Sequence, residues 1–140
     1  YLWFLQNGLP GYAWYVPKAG GFVNIGVGGS ELKLQSKRDS LKRHWALLIK
    51  KLESMGLVTN REYKPVGHSY FLRSRNPTLR SGNAFLVGDA AGLATIDMGE
   101  GIGPAIQSGI RAAEAIQSGQ EYAVFTISKY SFPSLLGLRK

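Results

Sequence analysis

The sequence has 140 residues, of which 44% are hydrophobic and 19% are charged, a composition that argues against intrinsic disorder and fits a globular protein with a core. It contains no cysteine, which excludes disulfide bonds and thiolate metal sites. The net charge of +8 suits nucleic acid, an anionic membrane surface or an anionic cofactor, so the charge alone selects none of these partners.

Metal sites, membrane spans and export signals have no support in the pattern. The two histidines, His44 and His68, lack the spacing of a zinc motif, so we assign no metal. The sequence has no run of about 18 apolar residues and no signal-peptide pattern, and cytoplasm is the expected compartment. The sequence opens on Tyr1-Leu2-Trp3-Phe4-Leu5, whereas natural termini are usually polar. We therefore expect it to be a part of a longer protein.

The N-terminal half predicts a hairpin and then a helix. Residues 12–16 and 22–27 are rich in aromatic and β-branched side chains and are separated by a Pro-Gly segment, as in antiparallel strands. Ser36 and Asp39 match a capping box, and apolar residues then recur at helical spacing until Gly56. This pattern predicts an amphipathic helix over about residues 37–55.

The C-terminal half predicts a strand and a long helix. Residues 84–87 form a short apolar run between glycine-containing turns, which indicates a strand buried on both faces, as in a parallel sheet. A helix follows, with Pro104 in its first turn and its end near Gly119. A further helical stretch is expected at about residues 121–130. The positions expected to form the core face of the long helix are Ile102, Ile106, Gly109, Ile110, Ala113 and Ile116.

A candidate ligand site lies between that strand and that helix. Asp89 follows the strand, and a glycine-rich segment at residues 99–103 opens the helix. Ligands of α/β sheets bind beyond the carboxyl ends of strands, and helix N-termini offer free N–H groups and partial positive charge. A carboxylate accepts hydrogen bonds from sugar-like hydroxyls, while glycines admit a flat ring or a phosphate. The pattern predicts a nucleotide cofactor site; alternatively, Asp89 caps a short helix and the glycines form a turn.

The glycine-rich segments resemble a known cofactor motif. G-D-A-A-G at residues 88–92, G-E-G-I at residues 99–102 and Ser108-Gly109 in the helix resemble the second FAD motif of the p-hydroxybenzoate hydroxylase-like flavoproteins. The resemblance implies FAD, with Asp89 on the ribityl chain and the helix start at the pyrimidine edge of the isoalloxazine ring. The implied cofactor-binding residues are Gly88, Asp89, Ala90, Gly92, Gly99, Glu100, Gly101, Ile102 and Gly103.

A second segment resembles a narrower family. Tyr12-x-Trp14-x-x-Pro17, followed by the sequence V-N-I-G-V-G at residues 23–28, resembles the pattern of geranylgeranyl reductases and their FixC-like relatives. The resemblance implies an FAD-dependent oxidoreductase that reduces isoprenoid C=C bonds by hydride transfer. Tyr12, Trp14 and Tyr15 are then candidates to line an apolar substrate cavity. The alternative is a core role, because aromatic residues of alternating strands are commonly buried.

The implied architecture is a partial FAD-dependent oxidoreductase fold of mixed α/β class. Residues 1–80 would supply an antiparallel substrate-domain sheet with a helix. Residues 81–140 would supply the C-terminal strand and helix of the FAD-binding domain. No G-x-G-x-x-G fingerprint follows a first strand. The N-terminal Rossmann half, which would hold the ADP part of FAD, is therefore expected outside this sequence, and the isolated sequence is expected to be inactive.

Two other classes of function remain as alternatives. The FAD motif is shared with flavin monooxygenases, halogenases and quinone-linked electron-transfer flavoproteins. A different reading is a basic interaction module for membranes or nucleic acid, although the basic residues are scattered and no nucleic-acid partner is expected. A lipid substrate would suit peripheral membrane contact. The pattern assigns no side-chain acid or base and specifies neither the electron donor nor the exact lipid.

Overall fold

The computed structural model describes residues 1–59, 62–73 and 79–132. It divides into two compact units, Tyr1–Val66 and Gly67–Lys140. Small antiparallel sheets and three α-helices make up the regular structure of the described ranges, which confirms the predicted mixed class. The assignment of residues 1–80 and 81–140 to a substrate domain and an FAD-binding domain stays a prediction.

A three-stranded antiparallel sheet forms the centre of the first unit. Its strands are β1 (Leu2–Phe4), β2 (Gly11–Pro17) and β3 (Val23–Gly29), with β2 in the middle. The β2–β3 pairing confirms the predicted hairpin. Because side chains alternate along each strand, the pairing places one set of residues on each face of the sheet.

Two helices follow the sheet, α1 (Glu31–Ser36) and α2 (Leu41–Ser54). The helix start predicted at about residue 37 was wrong, because Ser36 ends α1 and Arg38 has a left-handed φ of 51°, which interrupts helical geometry. The N-cap of α2 is Ser40, whose Oγ accepts a hydrogen bond from the N–H of Arg43 at 3.3 Å. The predicted helix therefore corresponds to α2 alone, and α1 precedes it.

The inner face of the sheet and α2 enclose the first core. Ala13 and Tyr15 of β2 lie against Leu48 and Leu52 of α2, and Leu52 is fully buried. The α2 spacing of four residues between these leucines matches one helical turn, as the sequence predicted. Partly buried residues around this core are Trp3, Ile25, Val27, Trp45, Ile49, Leu57 and Val58.

The second unit combines the short hairpin of β4 (Arg80–Ser81) and β5 (Ala84–Phe85) with α3 (Ile102–Ser118). A 3₁₀ turn at Gly88–Ala91 precedes the loop that leads into α3. One apolar cluster joins these elements to the segment after α3. Its buried members are Ala91, Leu93, Ala112, Ala115, Tyr122, Val124 and Ile127.

The predicted doubly buried strand was wrong. β5 pairs antiparallel with β4, and the side chains of Leu86 and Val87 are 38% and 39% exposed. In the described ranges, parallel pairing occurs at the isolated bridge between Leu72 and Ala94. A strand with an unbroken apolar run is buried on both faces only where other elements cover both faces of its sheet.

The helix predicted at about residues 121–130 was also wrong. Tyr122, Val124 and Ile127 are buried, but carbonyls of this segment are bound by side chains from elsewhere instead of by a helical ladder. The guanidinium of Arg73 donates to the carbonyls of Val124 and Ile127, at 3.1 and 3.3 Å. That of Arg111 donates to the carbonyl of Ala123 at 3.1 Å. These bonds satisfy the backbone groups in an irregular segment.

The face of α3 that packs in this unit differs from the predicted face. Pro104, Ser108, Ala112 and Ala115 are buried. The isoleucines expected in the core are exposed, because the unit covers α3 on its small-residue side. Their exposed fractions are 75% for Ile102, 59% for Ile106, 55% for Ile110 and 66% for Ile116.

Asp97 fastens the end of the described chain to the loop before α3. Its carboxylate accepts the N–H groups of Ser131 at 3.0 Å and Phe132 at 2.8 Å, and also that of Met98 at 2.9 Å. Burial alone would raise the pKa of Asp97, but these backbone hydrogen bonds outweigh burial and lower the pKa. The ionised carboxylate is therefore the form that stabilises this contact.

Asp97→Asn is expected to lower the melting temperature of the chain at about pH 7, and the difference is expected to shrink as the pH falls toward about 2. A depressed folded-state pKa contributes stability above the unfolded-state value, and that stability is lost as the pH falls through the folded-state value. Thermal unfolding followed by circular dichroism at both pH values measures the difference. Glu114→Gln, at an exposed carboxylate of α3, is the matched control. A difference for Asp97→Asn that persists unchanged at low pH would contradict this account.

Candidate functional site

The turn at Gly88–Ala91 is locked onto α3 by a buried hydroxyl. Gly88 has a φ of 54°, and a Cβ there would lie 2.9 Å from the Cβ of Ala105. Its N–H donates to Oγ of the fully buried Ser108 at 2.9 Å, and Ser108 in turn donates to the carbonyl of Ala105. Only glycine satisfies both the left-handed backbone and this close approach.

Asp89 is presented at the surface beside the start of α3. A Cβ on Gly101 would lie 2.6 Å from Oδ1 of Asp89, so the carboxylate sits directly against the Gly101 backbone. Within the described ranges, none of the side-chain hydrogen bonds involves Asp89, so its side chain does not cap a helix there. The alternative that the glycines form a turn holds for Gly92. Its φ is 60°, and its N–H closes the turn by donating to the Asp89 carbonyl.

Thr95 fixes the segment that enters α3, and sequence reasoning did not assign it to the site. Its N–H donates to the Glu100 carbonyl at 2.9 Å, and its Oγ1 accepts the Glu100 N–H at 3.0 Å. Its carbonyl accepts the N–H of Gly99, which has a φ of 63°. Thr95 is 2% exposed. A threonine four residues before a glycine-rich segment was the available signal.

The N-terminus of α3 is partly satisfied by its own chain. Oε1 of Glu100 accepts the N–H of Gly103 at 2.7 Å, and Ala105 donates to the carbonyl of Gly101 at 2.8 Å. Pro104 has no N–H. Among residues 1–59, 62–73 and 79–132, the N–H groups of Gly101 and Ile102 have no hydrogen-bond acceptor. The helix start thus presents two backbone donors next to the Asp89 carboxylate.

Tyr70 joins this cluster from outside the two glycine-rich segments. Its hydroxyl donates to the carbonyl of Gly99 at 2.7 Å. Burial raises the pKa of Tyr70, and the negative charges of Asp89 and Glu100 raise it further. The phenol therefore stays protonated in the neutral pH range and remains a hydrogen-bond donor.

The structure gathers most of the predicted cofactor residues into one cluster in the second unit. Gly88, Asp89 and the segment at residues 99–103 meet at the start of α3, whereas Ala90 is exposed and makes none of these contacts. Ile102 belongs through its backbone, since its side chain is exposed. In the described part of the chain, no group of three or more His, Asp or Glu side chains is placed to hold a metal ion.

The predicted substrate residues lie in the first unit, on both faces of its sheet. Tyr12 and Trp14 are on the outer face, with ring centroids 5.6 Å apart. Tyr15 is on the inner face, is 8% exposed and donates to the Leu57 carbonyl at 3.3 Å. For Tyr15 the core alternative is therefore the one that the structure shows. Neighbouring side chains in one strand point to opposite faces, so they cannot share one cavity wall.

On the outer face of the sheet, the aromatic ring of Trp14 packs over glycine residues of β3. Trp14 lies across Gly26, where a Cβ would overlap the indole, and near Gly28, where a Cβ would be 3.7 Å away. The indole Nε1 donates to Oδ1 of Asn24 at 2.6 Å. Phe4 of β1 lies beside Tyr12, with ring centroids 5.8 Å apart. The glycines of β3 thus leave room for an exposed aromatic surface.

Comparison with known proteins gives one similarity that spans most of the chain. Over 124 residues, which are 86% of this chain, the sequence is 35% identical to a digeranylgeranylglycerophospholipid reductase of Thermoplasma volcanium. The chain spans 30% of the length of that protein. No family model matches the chain, and no solved structure matches it significantly.

Gly101→Ala is expected to destabilise the chain by about 0.5–1.5 kcal/mol at most, because its Cβ would push the exposed Asp89 side chain out of its present rotamer. Gly109→Ala in the same helix is the matched control. A Cβ there meets nothing within 4 Å, so this change should stabilise by about 0.5–1 kcal/mol. Urea unfolding of both variants, and of Gly101→Ala combined with Asp89→Ala, measures the coupling. Equal effects of the two glycine changes would show that Asp89 does not lie against Gly101.

Proposed function

We propose that this chain is part of an FAD-dependent reductase of the geranylgeranyl reductase-like family, acting on an isoprenoid lipid. The observation that carries the proposal is the placement of Asp89 against Gly101 at the start of α3. The name of the similar Thermoplasma protein supports both the reductase activity and the lipid class. The two sequence motifs point to the same activity.

The residues at the start of α3 fit a part of a flavin. Asp89 offers a carboxylate for ribityl hydroxyls, and the N–H groups of Gly101 and Ile102 offer donors for a polar ring edge. The partial positive charge of the helix N-terminus favours electron-rich groups there. FAD, when bound, would supply the hydride that reduces a C=C bond. Binding and orienting the cofactor would be the task of this cluster.

Glu100 has a second role in this proposal. Its carboxylate accepts the Gly103 N–H at 2.7 Å, which is the position of an anion at a helix N-terminus. Any ligand group that reaches this N–H must displace the carboxylate. Glu100 would therefore compete with negatively charged groups of a ligand for the N-terminus of α3.

Additional polypeptide would complete the site. The chain spans 30% of the similar reductase, and its cluster offers groups for one part of FAD. The exposed isoleucines of α3, and the exposed Leu86 and Val87, support this proposal. A helix that is apolar on both faces is characteristic of an interior position.

The outer face of the first sheet is the proposed contact surface for the isoprenoid chain. Tyr12 and Trp14 present rings there, next to the exposed Leu2 and Phe4 of β1. A prenyl chain is apolar and unsaturated, so it gains burial against aromatic rings without a requirement for hydrogen bonds. Tyr15 is not part of this proposal.

Other flavin reactions and non-enzymatic binding are less well supported. Hydroxylation, halogenation and quinone-linked electron transfer would use the same FAD motif, but the similar protein is named a reductase.

Within the described ranges, no helix has the length and hydropathy to span a bilayer. Cytoplasmic localisation and peripheral membrane contact stay predictions.

The complete polypeptide is expected to contain FAD, and the 140-residue chain alone is expected to retain none. Visible absorption and identification of the cofactor released on denaturation measure the content of each. Asp89→Ala combined with Gly101→Leu should abolish flavin binding in the complete polypeptide, because both the carboxylate and the close backbone approach are lost. Glu114→Ala, an exposed carboxylate on the same helix, is the control. A colourless active polypeptide, or full flavin content in the double variant, would refute the proposal.

Trp14→Ala is expected to raise KM for a prenylated glycerolipid about tenfold, the equivalent of about 1.4 kcal/mol, with a smaller change in kcat. The loss of ring contact weakens binding of the chain, whereas the reacting groups are unaffected. Phe22→Ala removes an exposed ring outside the strands and should leave KM unchanged. Flavin content and melting temperature of each variant control for misfolding. Oxygen-dependent hydroxylation of an aromatic acid by the wild type would favour the monooxygenase alternative.

A further inference from the structure

Tyr70 holds the glycine segment that forms the start of α3. Its hydroxyl donates to the carbonyl of Gly99 at 2.7 Å, and a Cβ on Gly99 would lie 2.7 Å from the same hydroxyl oxygen. Leu72 closes the contact, at 3.5 Å from that Cβ position. The phenol therefore packs against Gly99, the residue directly before Glu100, whose backbone has a left-handed φ of 63°.

Two hydroxyl groups hold one peptide of this segment, at its N–H and at its C=O. Thr95 binds the N–H of Glu100, and Tyr70 binds the carbonyl of Gly99, which is the other end of the same peptide unit. A peptide that is fixed at both its N–H and its C=O cannot rotate without losing both hydrogen bonds. The orientation of this peptide sets where Gly101 and Ile102 point their N–H groups. Tyr70 thereby controls the part of the site that faces the Asp89 carboxylate.

The electrostatic setting of Tyr70 supports a donor role. Asp89 and Glu100 both raise its pKa, so both carboxylates act on the phenol. A phenolate at this point would add a third negative charge next to the two carboxylates. The protonated hydroxyl supplies a neutral donor instead, which leaves the charge of the helix start unchanged.

We propose that Tyr70 is a positioning residue of the cofactor site, which orients the start of α3 toward the flavin through its hydrogen bond to the Gly99 carbonyl. The inference rests on the proposed function. It adds a residue from outside both glycine-rich motifs, about twenty residues before Asp89. The role belongs to the hydroxyl and not to the ring.

The test is Tyr70→Phe in the complete polypeptide, which keeps the ring and removes the hydroxyl. We expect the FAD dissociation constant to rise about 3- to 10-fold, the effect of one neutral hydrogen bond, and the flavin midpoint potential and visible spectrum to shift. Tyr63→Phe is the matched control, because the Tyr63 hydroxyl also donates to a backbone carbonyl, that of Thr59 at 2.9 Å, and belongs to the first unit. It should lower the melting temperature without altering the potential or the spectrum.

The outcomes separate the inference from the proposed function. Tyr70→Phe with wild-type FAD affinity, potential and spectrum overturns the inference while the flavoprotein proposal stands. Equal shifts in potential for Tyr70→Phe and Tyr63→Phe overturn it as well, since they would show a general structural effect. A wild-type polypeptide without flavin refutes the proposed function first, and the positioning role falls with it.

Discussion

The hydrogen bond from the Gly88 N–H to the buried hydroxyl of Ser108 organises the second unit. Ser108 is fully buried, so an unsatisfied hydroxyl or N–H at this point would cost about 1–3 kcal/mol. The bond fixes the 3₁₀ turn against α3, and the contact between Gly88 and Ala105 sets how closely the two approach. With the turn fixed in this way, Asp89 is held beside the start of α3, where its carboxylate lies against the Gly101 backbone. The candidate site therefore follows from one helix-to-turn contact made by small residues.

The first unit uses glycine for a different purpose. On the inner face of its sheet, Ala13 and Tyr15 pack against α2 and form a core. On the outer face, Gly26 has no side chain, and Trp14 lies flat over it. The strand pairing forces Trp14 and Tyr15 apart, since adjacent residues alternate between faces. Burial on one face and an aromatic surface on the other are consequences of the same register.

Local patterns predicted those features that depend on neighbours in sequence. The β2–β3 hairpin, the leucine spacing of α2 and the glycine-rich start of α3 were recognised because turns, caps and helical periodicity are set within a few residues. The errors arose where a feature depends on contacts distant in sequence. The apolar run at residues 84–87 and the isoleucines of α3 indicate burial, but the unit covers α3 on its small-residue side, at Pro104, Ser108, Ala112 and Ala115. Residues 121–130 lack a helix because Arg73 and Arg111 bind their carbonyls.

The sequence by itself determined the mixed class, the position of the glycine-rich cluster and the identity of Asp89 as its acidic residue, because these follow from residue type and spacing. Only the tertiary structure decided which residues meet there. Tyr70 and Thr95 enter the cluster through single hydrogen bonds to Gly99 and Glu100, and no periodic pattern marks such contacts. The tertiary structure likewise assigned Tyr15 to the core and Trp14 to the surface. The physical reason is that periodicity reports which side of an element is apolar, whereas packing determines what that side touches.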